Sequence, residues 1–150
     1  MSSVNNQSSI RLTSIEGHCT PSERRVLKQI ERSVNILWHQ APVAEITAVF
    51  VSQLAIQKLN RQYRHVNRST TTLSFVYQGR GLRSDPWVGE VMFCRAVIKQ
   101  RALAAGQSYA QALAELAAHS LLHILGYDHQ TEAQERTMER WAGRIIKLLP

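Results

Sequence analysis

Apolar positions recur along this chain in two rhythms, one of period two and one of period three to four. Ile10 to Ile15 alternates apolar and polar residues and predicts a short strand. Thr20-Pro21-Ser22-Glu23 reads as a helix start: Thr20 can cap, Pro21 fits the first turn and Glu23 stands at the capping-box position. Val26, Ile30, Val34 and Leu37 follow at helical spacing, so a helix is predicted from Pro21 to about His39 with one face in the core. Glu45 to Val51 is β-rich and predicts a strand. Ser52 then caps a second helix through about Tyr63, with Leu54, Ala55, Leu59 and Tyr63 expected to face inward. A polar connector from Arg64 to Thr71 leads to predicted strands at 72–77 and 88–94. Between those strands, Gln78 to Pro86 carries two Gly, Arg80, Arg83 and Asp85-Pro86, and is expected to be a mobile, basic loop. Three more helices are predicted: 95–105 stopped by Gly106, Ser108 to Leu125 with Gly126 at the cap, and Thr131 to Leu148. The fold class is therefore α+β: a single mixed β-sheet of about four strands packed with about five helices.

Length and composition narrow this further. A chain of 150 residues is expected to form one domain over 1–150, with residues 1–8 disordered. Hydrophobic residues make up 44%, with 7 Gly and 4 Pro, which is a globular rather than a fibrous or disordered balance. Lys plus Arg is 18 against 11 Asp plus Glu, a formal net charge of +7, and only Lys28, Lys58, Lys99 and Lys147 are not Arg. Arg suits bidentate contact with phosphate, so the balance permits a nucleic-acid partner without requiring one. The most apolar stretch, Ala102 to Leu125, carries Gln107, Gln111, Glu115 and two His and is not a membrane span. The first residues have neither a cationic nor an apolar region, so no secretory leader is expected. Cys19 and Cys94 form no CxxC pair and read as free thiols in a reducing cytosol.

The chemistry concentrates in one segment, His119-Ser-Leu-Leu-His123-Ile-Leu-Gly-Tyr-Asp-His129. His119 and His123 are four apart on a predicted helix, so their imidazoles leave one face. Gly126 tolerates a left-handed backbone and stops the helix, and the chain can then turn back to deliver His129 to the same ion. Two ligands from a helix and one from a turn leave one tetrahedral position open, as in a catalytic rather than a structural zinc site. A single His on an apolar helix is ordinarily a hydrogen-bonded core residue; the stop and the third His favour a metal here. His18, His39 and His65 have no such company and read as surface or packing residues. Ser120 stands where the zincin motif has its Glu, so the usual protease base is absent. Glu115, one turn before His119, either orients a ligand or faces solvent, with solvent favoured; Asp128 either caps the last helix or holds an imidazole.

The segment from His119 to His129 closely resembles the signature of the YbeY family, the bacterial rRNA-maturation endoribonucleases. Leu59-Asn60-Arg61-Gln62-Tyr63-Arg64, followed by Thr70 and Leu73-Ser74-Phe75, resembles a second stretch of that family. Gly89-Glu90-Val91 is similar to a third, and Met138 falls where the family usually has Met. The resemblance covers about residues 45 to 148. It implies one zinc-type ion, or another divalent transition metal, on His119, His123 and His129, in a cleft at the long helix toward the C-terminus. It implies that Arg64 is a functional cation in that cleft. It also implies single-strand RNA cleavage in 16S rRNA 3′-end maturation and ribosome quality control. The small ribosomal subunit and assembly factors would be the partners, and the location cytoplasmic with no membrane. Two departures stand out: Ser120 replaces a usual Gly, and Asn67-Arg68-Ser69-Thr70-Thr71-Thr72 replaces a more acidic connector. Both bear on substrate choice and rate rather than on the ligands.

The expected activity is therefore that of a metal-dependent endoribonuclease. A three-His zinc lowers the pKa of its water from about 15.7 toward about 7, and Arg64 would clamp the phosphate and offset its charge. The nucleophile, water or the RNA 2′-OH, is left open. Arg61, Arg64 and Arg68, with Arg80 and Arg83, are candidates to follow a phosphate backbone. Tyr63, Tyr77 and Trp87 are candidates to stack bases, with core packing as the alternative for each and the preferred one for Tyr63. Two other classes stay open: a metallohydrolase of another substrate class, and a non-catalytic ribosome-assembly factor with a structural metal.

Overall fold

A computed structural model describes residues 10–38, 44–77 and 87–150. The expected disorder at 1–8, the end of the first helix at His39 and the basic loop with Arg80 and Arg83 lie outside the described residues, as does the Trp87 side chain. The elements are β1 (Ile10–Glu16), α1 (Pro21–Leu37), β2 (Ala44–Phe50), α2 (Gln53–Arg64), β3 (Thr72–Tyr77), β4 (Trp87–Phe93), α3 (Arg95–Ala105), α4 (Tyr109–Ile124) and α5 (Glu132–Lys147). The described residues thus hold the expected four strands and five helices, with ends shifted by one or two residues. None of these helices is long and apolar enough to cross a membrane.

The sheet order is β1-β2-β4-β3. β1, β2 and β4 run parallel, and β3 pairs antiparallel with β4, so the sheet is mixed. Parallel pairing needs a crossover, which α1 supplies between β1 and β2. Alternation along the strands sends Ile46, Ala48, Val91 and Phe93 to a face covered by α1 and α4, where Leu27, Ile30, Leu113, Leu121 and Ile124 are buried. Leu73 points to the opposite face, where it meets Ile56 of α2 together with Cys94 and Val97. α4 carries Ala112, Ala114, Ala117 and Ala118 at buried positions, small residues that let neighbouring helices approach it closely.

Local signals set the helix starts. Thr20 Oγ1 accepts from the Glu23 N–H at 3.2 Å, and Glu23 Oε2 accepts from the Thr20 N–H at 2.8 Å, which closes the expected capping box. Glu23 has a second role that its local sequence does not announce. It is 1% exposed, accepts from Arg95 Nη2 at 2.7 Å and from the Tyr109 hydroxyl at 2.6 Å, and so clamps the N-termini of α1, α3 and α4 together. Burial pushes its carboxyl pKa upward, but hydrogen bonds from Arg95, Tyr109 and Thr20 and the Arg95 charge outweigh that and hold it at about 2.

Two expected core positions are corrected. Leu54 is 63% exposed and Tyr63 57% exposed. Leu54 lies on the side of α2 away from Ile56. Tyr63 shares the stripe of Ile56 and Asn60 but sits in the last turn, past the cover of the sheet, and rests edge-on against Phe75 with ring centroids 5.1 Å apart.

Candidate metal centre

The histidine segment is shaped by how α4 ends. Leu125 is the C-cap and Gly126 follows in the left-handed region at φ +100. The Tyr127 N–H donates to the Leu122 carbonyl at 3.0 Å and the Gly126 N–H to the His123 carbonyl at 3.0 Å. This is the six-to-one and five-to-two pairing of a Schellman stop, and it reverses the chain as the glycine predicted. The reversal brings the Tyr127 carbonyl 3.1 Å from His123 Nδ1. A carbonyl only accepts, so Nδ1 carries the proton and Nε2 keeps its lone pair. The same turn carries His129 to within 5.1 Å of His123, ring centroid to centroid, with the planes at 85°.

His119 and His123 are each half-buried, and His129 is exposed. Burial lowers the pKa of His119, opposed by Glu115 and Glu139 and reinforced by His129. Burial likewise lowers that of His123, opposed by the Tyr127 hydrogen bond and Asp128 and reinforced by His129 and His119. Those mutual influences place the rings within electrostatic reach of one another. As the side chains stand, no three His, Cys, Asp or Glu groups among the described residues converge into a metal-holding cluster. The donor chemistry nevertheless fits a zinc-type ion. His123 offers a neutral Nε2 held by a backbone carbonyl, the supporting bond that ligating imidazoles usually have. Two imidazoles on one tetrahedral ion at about 2.0–2.1 Å have centroids about 5 Å apart, which is the His123–His129 separation.

The neighbouring polar groups divide clearly. Glu115 is exposed and accepts from Gln107 Nε2 at 3.1 and 3.2 Å, in keeping with the solvent-facing alternative. Asp128 does not cap the last helix; Thr131 does, through the Gln134 N–H at 3.1 Å, while Asp128 Oδ1 accepts from the His129 N–H at 2.7 Å. His119 also borders a groove of about 890 Å³ between α3, α4 and α5, walled largely by Ala102, Ala105, Ala112, Ala142 and Ile146. His65 ends α2 in the left-handed region at φ 59, and His18 lends its carbonyl to Arg95 Nη2.

Arg64 is exposed in the last turn of α2 and makes no hydrogen bond or ion pair with another described residue. The connector after it runs back along α2, joined by Gln57 Nε2 to Asn67 Oδ1 at 3.3 Å, Gln53 Nε2 to Ser69 Oγ at 3.2 Å, and Asn60 Nδ2 to the Arg68 carbonyl at 2.9 Å. Neighbouring Tyr63 meets Phe75, which pairs with Glu90; the next rung pairs Val76 with Gly89. On the other face, a Cβ at Gly89 would stand 3.0 Å from Ile124 Cδ1. Tyr63 and Ile124, the neighbours of Arg64 and His123, therefore approach adjacent rungs of β3 and β4 from opposite faces. Two features of this site escaped the motif reading: the Tyr127 carbonyl and the seat that Gly89 gives Ile124. The first was within reach, since a Gly stop fixes the position of the residue after it.

The family model described as Endoribonuclease YbeY matches residues 7–149. The chain belongs to this family. A YbeY relative from Psychromonas ingrahamii is 36% identical over 103 residues, 69% of this chain and 65% of that protein. One from Staphylococcus carnosus is 37% identical over 100 residues, 63% of this chain and 65% of that protein. These matches thus span just under two thirds of the relatives' length. The solution structure of TM1509 from Thermotoga maritima superposes with a TM-score of 0.59 at 21% identity, covering 92% of this chain and 89% of that one, so the two share a fold.

Proposed function

We propose that this YbeY-family chain is a metal-dependent endoribonuclease that cuts single-stranded RNA in the cytoplasm. Its role would be 16S rRNA 3′-end maturation and ribosome quality control, in company with the small ribosomal subunit and assembly factors. The reading is carried by one observation: His123 presents a carbonyl-anchored imidazole 5.1 Å from the His129 ring, in a chain whose family is named for RNA cleavage.

His119, His123 and His129 would hold the ion. When bound, a zinc-type ion supplies Lewis acidity toward a phosphoryl oxygen and acidifies water at the site. The chain's own groups do the rest. The Tyr127 carbonyl keeps His123 in the tautomer with Nε2 free. Burial lowers the pKa of His119 and His123 and so favours the neutral form, the state a ligand needs. Arg64 binds and orients the phosphate and offsets charge that gathers on it during cleavage. No carboxylate stands between the two helical histidines, so a peptidase-type base is missing from this arrangement.

The test is elemental analysis beside a cleavage assay on single-stranded RNA, with wild type and His123→Ala purified identically. Wild type should carry about one ion per chain and cut; the variant should lose metal and cleavage together. Cleavage that survives exhaustive chelation, or that copurifies equally with the variant, would overturn the proposal.

A further inference from the structure

One group of rings has no part in the chemistry just described. Tyr63 is 57% exposed and Tyr77 53% exposed. Tyr63 stands edge-on to Phe75, centroids 5.1 Å apart and planes at 68°. Tyr77 follows Phe75 by two residues in β3 and therefore emerges on the same face. Its hydroxyl donates to Glu90 Oε2 at 3.2 Å, and it lies close enough to Tyr63 for the two to interact electrostatically. Both rings are thus braced by neighbours yet half open to solvent, at β3, the end strand among the described residues. Arg61 and Arg64, both exposed, flank Tyr63 in sequence in the last turn of α2.

Braced, open rings beside guanidinium groups that pair with no other described residue suit a ligand that brings flat faces and negative charge together. A single-stranded polynucleotide does so; a duplex hides its base faces, and an apolar protein surface would leave the two cations without partners. We infer that Tyr63 and Tyr77 form a base-stacking platform for single-stranded RNA, whose phosphates are met by Arg61 and Arg64. The inference rests on the endoribonuclease reading and deepens it. Tyr63 meets Phe75 on one face of β3, and Ile124, next to His123, meets Gly89 on the other face one rung away.

The test uses the whole chain, freed of metal by chelation so that binding is read without cleavage. Fluorescence anisotropy would follow two short labelled probes: a single-stranded RNA and an abasic ribose-phosphate oligomer of equal length. Tyr63→Leu and Tyr77→Leu should each weaken RNA binding by roughly 5- to 150-fold, the range that loss of one stacked base implies. Tyr63→Phe and Tyr77→Phe keep the ring and should retain most of the affinity. Binding of the abasic oligomer should be unchanged throughout. Leu variants that bind RNA as wild type does, or that lose the abasic oligomer equally, would overturn the platform, and so would wild type that does not bind single-stranded RNA. Failure of the underlying reading looks different. If ring-dependent binding holds but metal-loaded wild type cuts no RNA, the platform stands and the nuclease falls. If wild type cuts while the Leu variants bind and cut like it, the nuclease stands and the platform falls.

Discussion

A methyl group added at Gly89 would stand 3.0 Å from Ile124 Cδ1, 3.3 Å from its Cγ2 and 3.3 Å from the Phe75 carbonyl oxygen. Two effects oppose each other in Gly89→Ala. Replacing Gly inside a strand is worth roughly 0.5–1 kcal/mol in the variant's favour. Overpacking a closed site costs roughly 1–3 kcal/mol. Ile124 is fully buried and the Phe75 carbonyl belongs to the neighbouring strand, so neither contact relaxes freely. The clash should win, with a net loss of up to about 2.5 kcal/mol in urea unfolding of the metal-free protein. Ile124→Val removes the closest atom and should cost about 0.5–1.5 kcal/mol by itself. In the double variant the clash is relieved, so the cycle should show a favourable coupling of about 1 kcal/mol. The same shift bears on the proposed metal centre, because Ile124 follows His123 and ligand distances tolerate only about 0.2 Å. Competition with a chromogenic chelator should therefore show weaker zinc retention in Gly89→Ala and recovery in the double variant. A Gly89→Ala protein more stable than wild type, or strictly additive single costs, would refute the packing argument.

Glu23 gives a pH prediction. Its folded pKa of about 2 lies below the ordinary 4.5, so its contribution is present above pH 4.5 and is lost as pH falls through about 2. That shift corresponds to about 3 kcal/mol as an upper figure. Urea midpoints should show Glu23→Gln less stable than wild type at pH 7 and the gap closing between pH 4.5 and 2; a constant gap would remove the carboxylate from the account. For Arg64, reversal to Glu at the end of α2 should cost at most about 1 kcal/mol of stability through the helix dipole, yet RNA cleavage should fall at least tenfold. Parallel losses of thermal midpoint and cleavage would assign Arg64 a structural role.

What the sequence made legible was what the chain decides locally. Thr20, Ser52, Ser108 and Thr131 cap their helices through their own side chains, and Gly106 and Gly126 stop α3 and α4 at positive φ. Each depends on residues within a turn of itself. The strand order was not legible in this way, because β2 joins β4 across 36 intervening positions of chain, a choice made by which apolar faces can be buried together. Glu23 shows both levels in one residue. Its capping box is written three residues apart, while its clamp on Arg95 and Tyr109 spans separations of 72 and 86. Tyr63 failed for a related reason: helical phase places it on the inner stripe, but phase does not say where the sheet ends.

The site followed the same division, and this bears on how it works. The spacing of His119 and His123 and the Gly126 stop are local, so the candidate ligands were readable. Their chemical state is not local. It comes from α4, whose C-terminal half from Ala117 to Ile124 is buried except at the half-buried His119 and His123. Burying an imidazolium there is unfavourable, so His119 and His123 are held toward the neutral form. A divalent ion binds that form and no other. The packing that makes α4 a core helix would therefore also prepare His119 and His123 as ligands of the proposed ion. A core substitution that opens the helix to water, such as Leu122→Ala, should weaken metal binding by more than its loss of stability alone accounts for. Metal titrations at a temperature where the variant remains fully folded would show this, and an unchanged affinity there would mean that ligand spacing, rather than burial, sets the strength of the site.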